Sequence, residues 1–355
     1  MHECATTRGP GFRGLVLAIA LIFVGVTAVQ AQDSVLKQAK EEYQFAEYDK
    51  ASDLFSQVAN DEAASTGDRS QALRYLARVY VAKNEQSKAR DAVRQLLKMK
   101  PGAEFDPDME PPPIMDIYYD VRKEMDGYGV RANTGIQTLA VMDFSNDSVD
   151  ERERFDGLEK GLPSMMINYL NGGTDLKVIE RERVQWLLKE LELQRDEETV
   201  DQSTAVRTGK MLGAHSVVFG SYTVFEGRMM ILARVVKVET GEVLLGEQVT
   251  GKPDEFFSLI EELSTKITRS VNVEMEEAKM GTSETKSLDA MMAYSDGLSL
   301  LEDGKYRAAR EKFLQAVEYD DSFSRARIKA ESIKPMLAAT AGVDGSETST
   351  TQMNR

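Results

Sequence analysis

Apolar positions recur along this chain with two different periods, and the changes between them divide it into modules. From Val35 to Pro101 the spacing is helical: Ala46, Tyr48, Ala51, Phe55 and Val58 form one set, and Leu73, Leu76, Ala77, Tyr80, Ala89, Val93, Leu96 and Pro101 a second. In helical hairpins of this kind, small residues such as Ala51 and Ala89 let two helices approach, while Phe55 and Val93 fill the gap to the next pair. A third set returns near the end as Leu300, Gly304, Tyr306, Ala309, Phe313 and Ala316. Pro107 to Pro113 holds four of the chain's nine prolines and reads as an extended connector. Ile114, Ile117, Tyr118 and Val121 then predict an amphipathic helix that caps the repeat pair.

Between Gly135 and about Ala278 the period drops to two. The stretch Ile136–Phe144, then Leu176–Ile179, His215–Val224, Met229–Val238 and Glu242–Thr250, each read as a strand. Helices separate the early strands. The last three need only short turns, with Gly227 and Gly241 suited to positive backbone dihedrals, so an antiparallel meander ends the sheet. A final helix carries Phe256, Ile260, Leu263, Ile267 and Val271 on one face. Pro163 has to start a helix or kink one, which separates Phe155–Leu162 from Ser164–Leu170.

The segment LKVIERERVQWLLKEL, residues 176–191, holds both periods and four consecutive charges between them. Val184, Leu187, Leu188 and Leu191 fall at i, i+3, i+4 and i+7, whereas Leu176 and Val178 alternate, so strand becomes helix at Glu180 to Arg183. Carboxylates in a first helical turn complement its exposed amides and positive dipole end. Glu180 and Arg183, three apart, can also pair. This makes the cluster a hinge rather than a reaction centre. Trp186 lies one position off the leucine stripe and reads as covered by a neighbouring module or as an anchor for a partner.

Composition narrows the chemistry. Residues 1–31 read as a secretory signal peptide: Arg8 and Arg13 precede an apolar run from Gly14 to Val29, and Val29-Gln30-Ala31 is a small-residue cleavage site. Cleavage takes away Cys4, the only cysteine, and His2, one of two histidines, leaving no disulfide or thiolate site. The net charge of -15 disfavours nucleic acid and anionic lipid. The composition after residue 338 lacks apolar periodicity and reads as a disordered tail.

Catalytic readings fit poorly. Gly246 to Lys252 follows the phosphate-loop spacing, but Pro253 stands where the magnesium-binding hydroxyl belongs. His215 would have to serve any histidine-based triad alone and reads as a strand-edge residue. Asp143, Asn146, Asp147 and Asp150 offer hard-cation oxygens without the loop spacing or glycine of a calcium hand. No catalytic, cofactor-binding or metal-binding residue is assigned, and no cofactor is expected.

The helical sets resemble the tetratricopeptide repeat. In the central block, IQTLAVMDFSN, GLPSMMINYL, LKVIERERVQWLLKEL, TAVRTGKMLGAHSVVFGSYTVF and ARVVKVETGEVL occur in the order found in the CsgG-like family of bacterial envelope proteins. The telling positions are Glu180, Arg181, Gly213, Gly220, Ser221, Thr240 and Gly241. The resemblance implies an α/β (α+β) domain related also to the amino-terminal domain of TolB, with a mixed sheet and terminal meander, flanked by all-α hairpins. It implies no enzyme, but a periplasmic scaffold for envelope assembly or secretion that binds other envelope proteins through the repeats or forms homo-oligomers. Tyr48, Tyr80, Tyr306, Arg181, Arg183 and Trp186 are the candidate contact residues. The alternative is an oligomeric secretion subunit associated with the outer membrane; an envelope hydrolase using Asp143 is a third reading. Four residues between Val224 and Met229 leave no room for a membrane hairpin, whose strands need about 9 to 11 residues each. The expected order is thus a leader (1–31), repeats (32–101), connector and capping helix (102–134), CsgG-like domain (135–278), a last hairpin (286–338) and a tail (339–355).

Overall fold

The computed structural model describes residues 35–128, 137–173, 176–190, 201–271 and 284–337. The leader expected over 1–31, the tail over 339–355 and connector residues 129–134 lie outside them. The chain divides into two compact units, residues 1–103 and 104–355.

In the first unit a helix over 35–44 (α1) is followed by α2 (Tyr48–Asn60), α3 (Thr66–Ala82) and α4 (Gln86–Met99). The Ser65 hydroxyl caps α3 by accepting the Asp68 amide at 3.0 Å, satisfying one of the free donors of the first turn. α3 packs against both α2 and α4. Ala51 and Ala89 are fully buried where the helices approach, and the Phe55 ring stacks on Tyr75 at 4.9 Å. Ala46 and Asn84 turn the chain with φ of 59° each.

The second unit begins with α5 (Pro112–Asp126), where Pro111 precedes the helix and Pro112 opens it, a position needing no amide donor. Then follow β1 (Thr138–Asn146), α6 (Arg152–Phe155), α7 (Leu158–Gly173), β2 (Lys177–Ile179) and α8 (Arg181–Glu190). Next come α9 (Gln202–Leu212), β3 (Ser216–Phe225), β4 (Arg228–Lys237), β5 (Val243–Gly251), a short 3-10 turn and α10 (Phe256–Ser270). The unit ends with α11 (Leu288–Glu302), α12 (Tyr306–Tyr319) and α13 (Ser324–Ser332). The five strands lie in the order β2-β1-β3-β4-β5, with β1 parallel to β2 and β3, and the β3-β4-β5 meander antiparallel. The sheet is therefore mixed and the unit α+β. Glu226 and Gly227, both at positive φ (49° and 70°), close the β3–β4 hairpin in two residues. That is the turn whose twist matches paired strands.

α7 and α10 cover one face of the sheet, α8 and α9 the other, and α11 lies on α7. Leu139 and Val141 of β1 join Val218, Ile231 and Val235 in the first of these layers, and Tyr294, Phe313 and Phe323 of the last three helices belong to the same continuous core. Pro163 corrects one expectation: α7 runs through it, and the break falls earlier, at Asp156 and Gly157, between α6 and α7. A Cβ at Gly157 would lie 2.8 Å from an Asp296 carboxylate oxygen and 3.1 Å from the Met292 carbonyl, so a side chain at this break would crowd α11.

Candidate functional site

The four charges that open α8 are held inside the second unit. Arg181, 4% exposed, donates from Nε to Asp143 Oδ1 at 2.9 Å and from Nη2 to Asp143 Oδ2 at 3.1 Å and to Glu302 Oε1 at 2.6 Å. Lys160 of α7 pairs with Glu302 as well and lies 3.7 Å from Asp143. Burial alone would disfavour the Arg181 charge, but Asp143 and Glu302 outweigh it and hold the guanidinium more firmly protonated than usual.

Glu182 faces a second set of partners. Lys329 of α13, 2% exposed, donates to Glu182 Oε1 (3.1 Å) and the Pro107 carbonyl (2.9 Å) and pairs with Asp108 at 3.2 Å. Arg325, one turn before it, bonds Asn168 and Glu284 and lies 3.4 Å from Asp108. Burial would raise the Glu182 carboxyl, yet Lys329 and Arg181 bring it down to about 2. The same contacts raise Lys329 against its own burial. Glu180 behaves in the opposite sense: burial pushes its carboxyl up, against the pull of Arg183.

Arg183 donates to the Tyr128 carbonyl at 3.0 Å and lies over the Tyr119 ring at 5.8 Å. Trp186, 8% exposed, sits beside the Tyr119 and Tyr128 rings at 5.6 and 6.0 Å and donates from Nε1 to Asp120 at 3.2 Å. Arg181, Arg183 and Trp186 are thus engaged within the fold rather than presented to solvent. Tyr48, Tyr80 and Tyr306 are half-buried, Tyr80 beneath the Lys88 ammonium at 5.5 Å.

A cleft of about 370 Å³ opens beside this cluster, lined by Asp106, Asp108, Asn168, Glu180, Glu182 and Arg325 among others. Its chemistry is that of matched ion pairs. Glu182 is held near 2 and Asp143 accepts from Arg181 on both oxygens, while the Glu180 carboxyl, which also lines the cleft, is pushed up by its burial. No grouping of three or more His, Cys, Asp or Glu side chains able to hold a metal ion occurs among the described residues.

The other candidates fall elsewhere. His215 Nδ1 accepts the Thr138 amide at 3.0 Å, just before β3. Asn146 bridges the Ser148 amide, the Arg152 carbonyl and Asp156, and Asp150 accepts the Glu226 amide at 2.6 Å, so the acidic loop is tied to the sheet. The phosphate-loop spacing lies in β5, where Gly246 to Gly251 pair with β4.

Residues 122–230 match the family model described as curli production assembly/transport component CsgG. This block is a CsgG-like domain. Among solved structures, the LpoB C-terminal domain from Escherichia coli is similar at 16% identity over 42% of this chain and 99% of that one, with a TM-score of 0.26. Curated proteins give no match.

The motif positions have structural work within and beside the CsgG-like domain. Gly213 caps α9 in the left-handed region (φ 69°) and Gly241 turns β4 into β5 (φ 74°), where Thr240 Oγ1 accepts the Glu242 amide at 3.3 Å. Gly220 and Ser221 pair across to Ala233 and Leu232. The family match supplies Asp143, Lys160, Arg181 and Glu182. Asp108, Glu284, Glu302, Arg325 and Lys329 come from segments on either side of it. Arg181 and Glu182 stand out in the sequence as part of the strand-to-helix hinge and Asp143 for another role, whereas Lys160 and the five residues outside the match do not. Lys329 left a signal: Ala326, Lys329, Ala330 and Ile333 are spaced as one buried stripe, and a lysine there requires an acid opposite.

Proposed function

We infer that this protein is a non-enzymatic accessory scaffold of the bacterial cell envelope, exported to the periplasm, with a CsgG-like domain as its core. The observation that carries the reading is the pairing of Arg181, Glu182 and Asp143 with one another's neighbours, which makes the most charged part of the domain a structural joint. The helices over 35–99 resemble tetratricopeptide hairpins, which act by binding other proteins, and Tyr48 and Tyr80 are among their partly exposed aromatics, with Phe45 exposed beside Tyr48 in the chain. No described helix is long and apolar enough to cross a membrane, and the two-residue β3–β4 turn contains no insertion from which to build membrane hairpins.

The test is a pull-down from envelope extract with the chain from Gln32, alongside one lacking residues 35–101. Capture of a defined protein by the first and not the second is expected. A chain that captures nothing, is strictly monomeric by light scattering, and hydrolyses an envelope polymer in a manner lost on Asp143→Asn would overturn the reading. A high-order ring that resists a high-salt wash of the membrane fraction would favour a secretion subunit.

A further inference from the structure

Strand β5 forms one edge of the sheet: it pairs with β4 on one side, and among the described residues no strand pairs with the other. Alternate residues of an edge strand turn their amides and carbonyls outward, a ready template for one more strand. The flanks of this edge are apolar and acidic. Val243 is 47% exposed, and Leu244, Leu245 and Phe257 are half-buried beside it. Along α10, which packs on β5, Lys266 sits between Glu247 (3.2 Å) and Glu262 (3.1 Å), and the Glu255 carboxylate accepts the Lys252 amide at 2.7 Å. Glu242, immediately before the strand, is exposed.

Those carboxylates decide the occupant. A second copy added antiparallel about a two-fold axis would bring the middle of β5, at Glu247, against its own symmetry mate. Like charges directly opposite on paired strands are destabilising. An extended segment that alternates apolar residues with Lys or Arg meets a net negative flank, since Glu247 and Glu262 share the single cation of Lys266 and Glu242 is exposed.

We propose that the outer edge of β5 binds a basic, apolar-alternating segment of a partner protein by strand addition, with Glu242, Glu247 and Glu262 selecting its charge. This interaction is independent of the helical unit, so either can fail alone. The probe is a fluorescent, end-blocked octapeptide of alternating Lys and Val, titrated by anisotropy against the chain from Gln32, with amide hydrogen exchange read in parallel. The peptide binds, slows exchange across residues 243–251, and weakens at least tenfold when alternate amides are N-methylated, a change that keeps its charge. The double variant Glu247→Lys, Glu262→Lys, folded by circular dichroism, shows a comparable loss. Equal binding of the N-methylated peptide would mean charge attraction without a strand and would overturn the proposal. Absence of binding, protection mapped away from β5, or protection of β5 by self-association without peptide would do the same.

Discussion

At Gly220 there is no room for a methyl group. A Cβ there would lie 1.9 Å from the Leu232 carbonyl oxygen and 2.7 Å from the Phe144 ring, and the first of these is backbone and cannot rotate away. Gly220→Ala is expected to lower stability by about 1–3 kcal/mol, as overpacking does, seen as a lower denaturation midpoint at unchanged slope; an unchanged midpoint would refute the crowding. Lys329 poses the opposite problem, since its removal leaves charge behind. Lys329→Met leaves Glu182 and Asp108, both partly exposed, without their shared cation and should cost about 1.5–3 kcal/mol, and adding Glu182→Gln should recover part of it. The pH dependence has a definite sign. Glu182 is held near 2 in the folded chain against an ordinary 4.5, so its contribution is present above 4.5 and is lost as pH falls through that range toward 2. Glu182→Gln should remove that part of the acid dependence in pH-resolved urea melts; identical acid profiles for the two proteins would sink the assignment.

Elements were legible where a single period governs them. The five strands lie within two residues of the alternating stretches, and α10 covers Phe256–Ser270 as its apolar stripe requires, because burial on a sheet or against one leaves a local pattern. What periodicity could not give is which charge meets which. Asp143, Glu182, Glu302 and Lys329 are joined across chain separations that no spacing rule reaches, and only Lys329 on an apolar stripe hinted at it. Pro163 was misread for a related reason: the close approach of Gly157 and Gly161 to α11, with the Gly161 amide donating to Ser295 at 2.8 Å, fixes α7 from outside. Trp186 offers a direct test at this scale, being the chain's only tryptophan. Set between α8 and the Tyr119 ring of α5, it should emit at short wavelength and resist acrylamide until global unfolding. Emission typical of a solvated indole in the native protein would contradict this packing of α5 on α8.

For the whole molecule, the boundary that matters differs from the one periodicity drew between 278 and 286. The family match ends at residue 230, yet the core running through Leu139, Val218 and Ile260 continues without interruption into Tyr294, Phe313 and Ile333. A chain cut after Ser270 would expose that apolar surface to water at roughly 25 cal/mol for each Å² uncovered. It would also leave Arg181 without Glu302, and Glu182 without Lys329. Net domain stability is only about 5–15 kcal/mol, so losses of both kinds together exceed what the sheet can bear. A fragment of residues 104–271 is therefore expected to lack cooperative unfolding and a dispersed amide spectrum, while 104–337, which keeps α11 to α13 with their share of that core and both ion pairs, retains both. A well-dispersed spectrum from the shorter fragment would show that the last three helices are an appended module rather than part of the domain's own core, and would return α11 to α13 to the role of a free repeat.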